Sequence, residues 1–494
     1  MRQARKEREK QQKKKLTAGN VLAAIYAIIL ALFVITILRL NVLPMMYFVI
    51  LAVVLGGISA AVIWGLLKKP KMVKDKDGNQ QPKKKIASSV IAVILIIVLG
   101  FGTFYMGGTL DFFGKISGDT YLQTFYVVVK QESPYEKLKD IKGETVGIMS
   151  SEDEAYEKAK DKLKRKVRVD YAKAGDSVSL ANSLVKDEYK VIFLNSAYYD
   201  MALEEVEGFT AESVRILEEI QVEAKISENT KKVDVTKDSF NVYISGIDTS
   251  GPIGNISRTD VNMIMTVNPN AKTILLTSIP RDYYVELATK GQMDKLTHSG
   301  LYGIDETTKT IENLFGIDIN YYAKVNFTTV VKLVDVLGGI TVNSDYAFTS
   351  RVGGYNFVAG PNQLDGEQAL AFARERYSFT SGDNQRVKNQ QAVITAIINK
   401  VTGSSAILTK YNSILNSVED NLQTSMSQKD ITSLVKMQLG DMSGWNIKQQ
   451  SVTGTGKSTP VYSMPNSYVY VMVPDMATVE SATTAIKAVM AEGK

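Results

Sequence analysis

The clearest indication of the fold class is the stretch Phe240–Val285, which reads FNVYISGIDTSGPIGNISRTDVNMIMTVNPNAKTILLTSIPRDYYV. Apolar and polar residues alternate over Phe240–Ile244, which is the pattern of a half-buried strand. Val261–Val267 and Thr273–Ile279 are almost continuously apolar, as is typical of strands covered on both faces. The Asn-Pro-Asn sequence at 268–270 predicts a turn between them. The stretch therefore predicts three neighbouring strands of a covered sheet.

Charged residues in this stretch stand only where the predicted strands begin or end. Asp248 lies in a glycine-rich turn after the first strand, and Arg258 and Asp260 come just before the second. Arg281 and Asp282 follow the third. Open α/β sheets bind ligands in crevices outside their strand ends, with a few polar groups fixing the ligand. Acids and arginines at this rim predict a metal-assisted anion site.

The residues after the third strand continue in a β–α rhythm. Thr307–Phe315 predicts a short helix, and Ile317–Phe327 predicts a strand. Thr328–Leu337 predicts a helix that ends at a pair of glycines, and Ile340–Val342 begins another strand. This alternation predicts a layered α/β domain.

Two arginines stand at the end of the next predicted helix. Asp365 is placed as its N-cap, and Gln368 is placed for a capping-box contact. Arg374 and Arg376 share a side only where the chain is extended. If the helix ends near Arg374, both guanidinium groups can converge on one anion. The alternative is two solvated arginines balanced by Glu375.

A further helix is predicted from Asp383 to about Val401. Asp383, Arg386 and Gln390 are spaced i, i+3 and i+7, which places them in one stripe near its start. A helix N-terminus adds partial positive charge that suits phosphate. A capping role alone would also explain Asp383. Apolar contacts on a neighbouring face are predicted for Val387, Ile394, Ile397 and Ile398.

Six motifs follow one another in order over residues 240–401: SGIDTS, SRTDVNMIMTVNP, SIPRDYYV, LVDVLGGITV, LDGEQALAFARER and GDNQR…QQ. Together they resemble the successive motifs of the LytR-CpsA-Psr family, and motifs in order are far more specific than any single one. The whole chain is most similar to the streptococcal capsule-biosynthesis member of that family. The resemblance implies an α/β core around a central mixed sheet.

The resemblance also implies an activity. The expected reaction transfers capsular or related polysaccharide from an undecaprenyl-pyrophosphate carrier to a sugar hydroxyl of peptidoglycan, leaving a phosphodiester link. The expected cofactor is Mg²⁺, and a hydrophobic tunnel would hold the polyprenyl tail. The expected location is the surface of a Gram-positive cell, with other capsule-assembly proteins as possible partners.

Within the resemblance, the residue types fit a metal ion and a diphosphate clamp. Asp248 and Asp260 supply hard oxygen ligands for Mg²⁺. Arg281, Arg374 and Arg376 can grip the diphosphate bidentately and stabilise charge on the leaving phosphate.

Other residues are predicted to bind or orient the substrate. Arg258, Arg386 and Gln390 are expected as further contacts. Asp383 is the candidate base for the acceptor hydroxyl, but Arg386 favours its ionised, weakly basic form, so its main expected role is orientation. Ser257 stands where the family commonly has Gly, which leaves the tightness of that turn open.

Two other functions stay open. One is a hydrolase that cleaves the lipid pyrophosphate with water, and the other is a receptor or regulator that binds lipid-linked glycan. The chain has no Cys and one His, so Cys/His metal sites are excluded and a His-based triad would need His298. His298 is interpreted as a polar loop residue.

Three N-terminal stretches carry no charge: Leu16–Leu38, Leu40–Leu67 and Ile86–Leu110, of 23, 28 and 25 residues. Each is long enough to cross the hydrocarbon core of about 30 Å as a helix. The sequence therefore predicts three transmembrane helices within residues 16–110.

Charge predicts the orientation of these helices. The tail 1–15 and the loop 68–85 each carry a net +6. By the positive-inside rule both are cytoplasmic, so residues 111–494 lie outside a multi-pass cell-membrane protein. The tail lacks aromatic residues, and contact with anionic lipid explains its charge more simply than DNA binding. Nucleic acid is not an expected partner.

Residues 111–232 predict a small α/β accessory domain. Tyr121–Lys130 and Lys190–Leu194 are predicted strands, and Glu152–Lys166 and Ser177–Lys186 are predicted helices. The domain is interpreted either as a docking or sensing module or as a spacer between membrane and core.

Residues 233–402 are predicted as the catalytic domain. Residues 403–494 are predicted as a C-terminal extension that packs on it. Its predicted elements are helices at Ile414–Val418 and Asp430–Leu439 and a strand at Val469–Val473.

Overall fold

The computed structural model describes residues 18–41, 43–68, 72–74, 80–82, 86–116, 120–150, 154–225, 231–247, 253, 256–380, 382–403, 410–419 and 421–493. The chain divides into two compact units. The first comprises Met1–Phe113 and Thr432–Asp441, and the second comprises Gly114–Ile431 and Met442–Lys494.

Three apolar helices make up most of the first unit: α1 (Ala18–Leu40), α2 (Met45–Leu67) and α3 (Ile86–Ile116). Each is long and apolar enough to cross a bilayer, by length and composition. Buried Tyr26 and Ser59 join α1 to α2 through a 2.6 Å hydrogen bond between their hydroxyls. The three predicted spans are therefore confirmed as helices.

The boundary between the first two spans differs from the prediction. The second helix begins at Met45 and not at Leu40, because Pro44 has no backbone N–H and favours the start of a helix. Asn41, with φ at +49°, ends the first helix. A short antiparallel pair, β1 (Met72–Lys74) and β2 (Gln80–Pro82), follows within the predicted 68–85 loop.

A mixed five-stranded sheet opens the second unit. Its strands are β3 (Thr120–Lys130), β4 (Thr145–Ile148), β5 (Asp170–Lys173), β6 (Val191–Asn195) and β7 (Val214–Lys225), in the order β5-β4-β6-β3-β7. The helices are α4 (Glu154–Lys166), α5 (Ser177–Val185) and α6 (Ser196–Glu205), with a 3₁₀ turn at Leu138–Ile141. The predicted β–α alternation of this segment is confirmed, and α6 is an additional helix.

The two faces of this sheet bury different residues because side chains alternate along a strand. Val127 and Val129 on β3 pack with α4. Val128 points to the other face and packs with α5 and α6. Covering both faces gives this segment two apolar cores of its own.

The central sheet of the second unit has six strands in the order β18-β13-β8-β9-β10-β19. They are β8 (Phe240–Ile247), β9 (Val261–Asn268), β10 (Thr273–Ile279), β13 (Tyr321–Asn326), β18 (Leu422–Thr424) and β19 (Asn446–Ser451). β9 is antiparallel to β8 and β10, whereas β13 runs parallel to β8 and β19 parallel to β10. The predicted central mixed sheet is confirmed.

Further helices and strand pairs complete the chain. The helices are α7 (Leu296–Ser299), α8 (Ile304–Phe315), α9 (Phe327–Leu337), α10 (Gly366–Arg374), α11 (Asp383–Thr402), α12 (Tyr411–Val418), α13 (Gln428–Asp441) and α14 (Met476–Ala491), with a 3₁₀ turn at Gly300–Tyr302. The paired strands are β11 (Tyr284–Glu286) with β12 (Met293–Lys295), β14 (Ile340–Ser344) with β17 (Gly360–Leu364), β15 (Phe348–Thr349) with β16 (Asn356–Phe357), and β20 (Gly454–Val461) with β21 (Met464–Pro474).

Helices cover both faces of the central sheet. α8 and α14 pack on the face that carries Tyr243, Ile264 and Leu275. On the opposite face α9 lies against β13, and α11 lies against β10 and β19. The α9–α11 layer has its own core, which includes Phe372 and Val393.

The end of the chain is part of the central sheet and not an extension packed on it. β18 and β19, both beyond residue 403, form the two edges of the sheet. Their pairing with β13 and β10 supplies hydrogen bonds that those strands would otherwise leave unmade. Separation of this segment from residues 233–402 is therefore wrong.

Candidate functional site

The predicted rim residues lie at one edge of the central sheet. Because β9 runs antiparallel to both neighbours, its start lies beside the ends of β8 and β10. The Asp260 N–H donates to the Gly246 carbonyl at 2.8 Å and so fixes the turn before β9. Asp248 lies outside the described residues.

Asp260 and Arg281 form an ion pair at this edge. Arg281 Nη1 donates to Asp260 Oδ1 at 2.8 Å, and the side chains are 24% and 12% exposed. Burial lowers the pKa of Arg281, but the charges of Asp260 and Asp282 outweigh burial and raise it above its ordinary value. The guanidinium is therefore a permanent cation in the site.

Lys295 belongs to this cluster, although no motif selects it. Its Nζ lies 2.6 Å from Asp282 Oδ1, and Arg281 Nε lies 3.7 Å from Asp282 Oδ2. The pairing of β11 with β12 brings Lys295 back beside the end of β10. Asp282 therefore lies between the two cations, and Arg281 keeps its hydrogen bond to Asp260.

The start of α11 supplies a second arginine. Arg386 Nη2 lies 2.5 Å from Asp383 Oδ1, one helical turn before it. Burial lowers the pKa of Arg386, and the positive charges of Arg281 and Arg376 lower it further against the opposing effect of Asp383. Half-buried Gln390 follows one turn later in the predicted stripe.

The apolar face predicted for this helix is displaced. Val387, Ile394, Ile397 and Ile398 are half-buried. The fully buried residues on α11 are Gln385, Asn389, Gln391, Val393 and Ala396. Buried amides take part because they bond neighbouring backbone: Asn389 donates to the Phe372 carbonyl at 3.0 Å.

Two buried donors in this cluster have no hydrogen-bond partner within the described part of the chain: Arg281 Nε and Arg386 Nε. Buried polar atoms in proteins are almost always hydrogen-bonded. An unpaired buried donor costs about 1–3 kcal/mol, and more when it is charged. The arrangement therefore favours an anion that supplies the missing acceptors.

Arg376 belongs to the same cluster. α10 ends at Arg374 and Glu375 is extended, so the predicted end of the helix is confirmed. Arg376 donates to the Tyr377 hydroxyl at 2.6 Å and lies near enough to Arg386 to lower its pKa. The Arg374 guanidinium lies 4.5 Å from the ring centre of Phe327, so the contacts described for the two arginines differ.

Glu375 does not balance two solvated arginines. It is 3% exposed and accepts the backbone N–H groups of Arg351, Tyr377 and Ser378. Burial raises the pKa of Glu375, but these hydrogen bonds outweigh burial and lower it below its ordinary value. The carboxylate therefore joins the loop before β16 to the segment after α10.

Arg351 is a further cation that the sequence analysis missed. Its guanidinium lies 4.5 Å from the ring centre of Tyr377, and that of Arg376 lies 4.7 Å from it. The pKa of Tyr377 is lowered by its hydrogen bond from Arg376 and by nearby positive charges, Arg281 among them. Arg351 therefore adds to the positive rim.

Arg258 forms an ion pair with another part of the chain. Its Nη1 donates to Glu204 Oε2 on α6 at 2.9 Å. The pairing across two sheets could not be read from the local sequence, because residues 204 and 258 belong to separate predicted domains.

His298 is not a loop residue and does not form a catalytic triad. It lies in α7 and is 3% exposed. Its Nδ1 contacts both Asp294 Oδ1 at 2.9 Å and Ser463 Oγ at 2.8 Å. A triad would place the hydroxyl and the carboxylate on opposite ring nitrogens. The cluster holds the turn between β20 and β21 against β12.

Apolar side chains remain half-buried in the middle of the central sheet. Ile244 on β8, Met265 on β9 and Ala323 on β13 point to the face covered by α9 and α11. Val330 on α9 and Val387 on α11 are also half-buried. These central side chains remain partly exposed because α9 and α11 do not cover them fully. The apolar surface that remains between the two helices would suit an apolar chain.

A separate polar groove of about 630 Å³ lies on the other side of α11. Its lining includes Gln385, Asn389 and Asn399, which face away from the Asp383–Arg386 stripe. The amide lining distinguishes this groove from the hydrophobic tunnel that the family resemblance implies.

The described residues contain no cluster of three or more His, Cys, Asp or Glu side chains that could hold a metal ion. Asp260 has hard carboxylate oxygens, and both of its described side-chain hydrogen bonds fall on Oδ1. Asp260 therefore fits one ligand position for Mg²⁺, and the second predicted ligand, Asp248, lies outside the described residues.

Comparison with known proteins decides the family. The LytR_cpsA_psr family model matches residues 208–487. The chain belongs to the LytR-CpsA-Psr family. The match extends through β18 and β19 and into α14, in agreement with a sheet that needs the end of the chain.

Similar proteins in this family carry transferase names. "Polyisoprenyl-teichoic acid--peptidoglycan teichoic acid transferase TagU" of Bacillus licheniformis is 40% identical over 217 residues, 42% of this chain and 69% of that protein. The protein of the same name from Enterococcus faecalis is 37% identical over 236 residues, 46% of this chain and 76% of its own length. The crystal structure of B. subtilis TagU is 34% identical, covers 52% of this chain and 99% of its own, and has a TM-score of 0.41.

The LytR-CpsA-Psr motifs thus converge in the fold, with three additions. Asp260 pairs with Arg281 and Asp383 pairs with Arg386, and the charges of Asp260, Arg281 and Arg376 act on Arg386. Lys295, Arg351 and Glu204 lie outside the motifs used for recognition. Only their contacts identify them.

Proposed function

We propose that this protein transfers a glycopolymer from a polyprenyl-pyrophosphate carrier to a sugar hydroxyl of peptidoglycan, and that the glycopolymer is a capsular or related polysaccharide. The observation that carries the proposal is the pair of buried Nε donors on Arg281 and Arg386, which have no hydrogen-bond acceptor among the described residues. Two half-buried cations with unused hydrogen-bond donors suit an anionic phosphate group better than a neutral ligand. The transferase names of the family relatives support the same reaction class.

The reaction is a phosphoryl transfer. The acceptor oxygen bonds to the phosphorus that carries the glycan, the bond from that phosphorus to the bridging oxygen breaks, and lipid monophosphate leaves. The acceptor proton passes to a base or to water. Such a reaction needs charge neutralised and atoms held in line. Arg281, Arg376 and Arg386 supply the charge, and Arg374 is retained as a candidate donor.

Asp260, together with Asp248, would hold Mg²⁺ beside the diphosphate. When bound, the ion would neutralise phosphate charge as the lipid phosphate leaves. Arg281 already binds Asp260 Oδ1, so the carboxylate would be shared between the guanidinium and the ion.

Asp383 orients the acceptor hydroxyl in this proposal. Its ion pair with Arg386 favours the carboxylate form, which is a weak base near neutral pH. A sugar hydroxyl held at high effective concentration tolerates a weak base better than dilute attack by water does. This contrast favours transfer over hydrolysis.

The lipid tail would lie over the half-buried apolar residues of the central sheet. Ile244 and Met265 offer an apolar surface between α9 and α11. The three apolar helices would keep the site close to its lipid-borne substrate. With the two +6 segments cytoplasmic, the second unit would face the cell wall.

Reconstitution tests the proposal. Full-length protein in lipid nanodiscs would be mixed with Mg²⁺, undecaprenyl-pyrophosphate-linked glycan and peptidoglycan oligomers. We expect a phosphodiester-linked conjugate, and we expect acceptor to accelerate the release of lipid phosphate. Release at an unchanged rate without conjugate would replace the proposal by a hydrolase. Binding of the lipid without either product would replace it by a receptor.

A further inference from the structure

Arg258 is held by a carboxylate from the five-stranded sheet. Its Nη1 donates to Glu204 Oε2 at 2.9 Å, and its Nη2 donates to Glu204 Oε1. Two parallel N–H···O bonds are the geometry with which a guanidinium binds either a carboxylate or a phosphate. Glu204 therefore occupies the fork with which Arg258 would bind an anion.

Packing between the two sheets fixes this contact. Ala202 of α6 and Ile256, two residues before Arg258, are buried in the same apolar core. Val469 and Val471 of β21 belong to that core as well. The five-stranded sheet is thus docked on the central domain, with Glu204 brought to the rim of the anion site.

Neighbouring charges act on Arg258 in both directions, and their net effect favours its charged form. Burial lowers the pKa of Arg258, but its hydrogen bonds to Glu204 and the charges of Asp260 and Glu204 outweigh burial and raise it. Arg281 lowers it, which places Arg258 within electrostatic reach of the Asp260–Arg281 pair. Burial also raises the pKa of Asp200, one turn before Glu204, to about 6.

The substrates of the proposed reaction differ in their number of phosphates. The donor carries two, whereas the lipid product carries one. Arg281 and Arg386 suffice for one phosphate group, and Arg258 is the nearby guanidinium whose fork is already occupied. A second phosphate would compete with Glu204 for that fork.

We propose that Glu204 is an internal competitor for Arg258: the second phosphate of a lipid diphosphate must displace Glu204 to bind the fork, whereas a lipid monophosphate leaves the Glu204–Arg258 pair in place. Once transfer leaves a monophosphate, Glu204 binds Arg258 again and the product is released. This inference rests on the proposed function and gives the 111–232 segment a role beyond that of a spacer.

Binding measurements test this competition without requiring turnover. Full-length protein in detergent micelles with Mg²⁺ would be titrated calorimetrically with geranylgeranyl pyrophosphate and with geranylgeranyl monophosphate. The variant is Glu204→Gln, which removes the charge at a side chain that is 58% exposed. Glu205→Gln, at the adjacent exposed position, is the matched control. Thermal unfolding of each variant checks that the fold is intact.

We expect wild type and Glu205→Gln to bind the diphosphate at least about tenfold more tightly than the monophosphate. In Glu204→Gln the fork of Arg258 is free, so diphosphate binding should tighten at least about fivefold while monophosphate binding stays near that of wild type, and the preference for the diphosphate should grow accordingly. Arg258→Gln should remove most of the preference while leaving monophosphate affinity near that of wild type.

Three results would overturn the inference. Wild-type affinities in Glu204→Gln would show that the carboxylate does not compete with phosphate. Weaker diphosphate binding in Glu204→Gln would show that Glu204 holds Arg258 in position for the phosphate and does not compete with it. Failure of wild type to bind either probe would instead remove the anion site on which the proposed function depends.

Discussion

The arginines of this site have different environments, and the contacts of each one determine which of its donors can bind a ligand. Arg281 is paired with Asp260, yet its Nε has no hydrogen-bond acceptor among the described residues, whereas the fork of Arg258 is filled by Glu204. Arg374 lies against the Phe327 ring. A motif identifies the residue type at each position, but the contacts determine which donors remain for a ligand.

Arg281 should be intolerant of substitution. Arg281→Ala should reduce the rate of conjugate formation by a factor equivalent to about 2–4 kcal/mol, as for other donors to developing charge. Arg281→Lys should restore only part of it, because an ammonium group cannot reproduce the planar fork. The measurement is single-turnover transfer at saturating lipid-linked glycan. Full activity in Arg281→Lys would show that charge alone suffices.

Asp294 should matter for stability rather than for chemistry. It is fully buried and accepts hydrogen bonds from the Ser463 N–H at 2.8 Å and the Lys295 N–H at 2.7 Å. Asp294→Ala leaves these two backbone donors without their acceptor, so we expect a loss of at least about 2 kcal/mol in the free energy of unfolding. Denaturant titration measures the loss. A reduced rate of transfer without lower stability would contradict this structural role.

At the scale of elements, one buried carboxylate orders two segments beside the site. Glu375 binds backbone N–H groups of Arg351, Tyr377 and Ser378, and so holds the arginine-rich rim in one conformation. The end of α10 at Arg374 makes this possible, because Glu375 is then extended and turned inward.

Glu375→Gln should loosen this rim. We expect faster hydrogen exchange at the amides of Arg351, Tyr377 and Ser378, with exchange in β9 unchanged as the internal control. Because the folded pKa of Glu375 is lowered, its contribution to stability is present above the unfolded value and is lost as pH falls through the folded value. Protection at these amides should therefore fall on acidification in wild type and stay pH-independent in Glu375→Gln. Equal exchange in both proteins at neutral pH would contradict the assignment.

At the scale of the whole molecule, the central sheet depends on segments far apart in the chain. β19 pairs with β10 in parallel over six residue pairs, and Gln450 on it donates to Thr277 Oγ1 at 2.8 Å. Gln391 on α11 donates to the Gln450 carbonyl at 2.6 Å, so the edge strand also holds α11. The helix that carries Asp383 and Arg386 is therefore positioned partly by the end of the chain.

Removal of the chain after Gly444 should unfold the second unit. The truncation deletes β19, β20, β21 and α14, which exposes one edge of the central sheet and the part of one face that α14 covers, so we expect loss of cooperative thermal unfolding by circular dichroism. Tyr468→Ala, on a side chain 77% exposed, is the control and should melt as wild type does. A truncated protein with a wild-type melting transition would support the original prediction of a C-terminal extension that packs on the catalytic domain.

Membrane orientation can be tested with single cysteines, since the native chain has none. Lys173→Cys should react with an impermeant maleimide in intact cells, because the second unit is expected outside. Gly78→Cys should react only after the membrane is opened, because the loop 68–85 carries +6. Labelling of both positions in intact cells would refute the three-span topology.

Local sequence patterns predict most of the elements around the site and the residue types that it contains. Apolar runs and turn residues predict β8, β9, β10 and the α9–α11 helices, since strand and helix periods are local properties. The charge-free stretches predict the three apolar helices for the same reason. The ordered motifs identify the family and select Asp260, Arg281, Arg376, Asp383 and Arg386.

The ion-pair and hydrogen-bond partners of these residues follow from the tertiary structure alone. Glu204 lies 54 residues before Arg258 in the chain, and Ser463 lies 165 residues after His298, so no local pattern joins them. The edge position of β19 could not be predicted from local sequence either. Its residues form a largely polar segment, and they become a strand through their backbone pairing with β10. Ion pairs and sheet edges form between distant segments, and packing of the whole unit selects among the many pairings that local sequence permits.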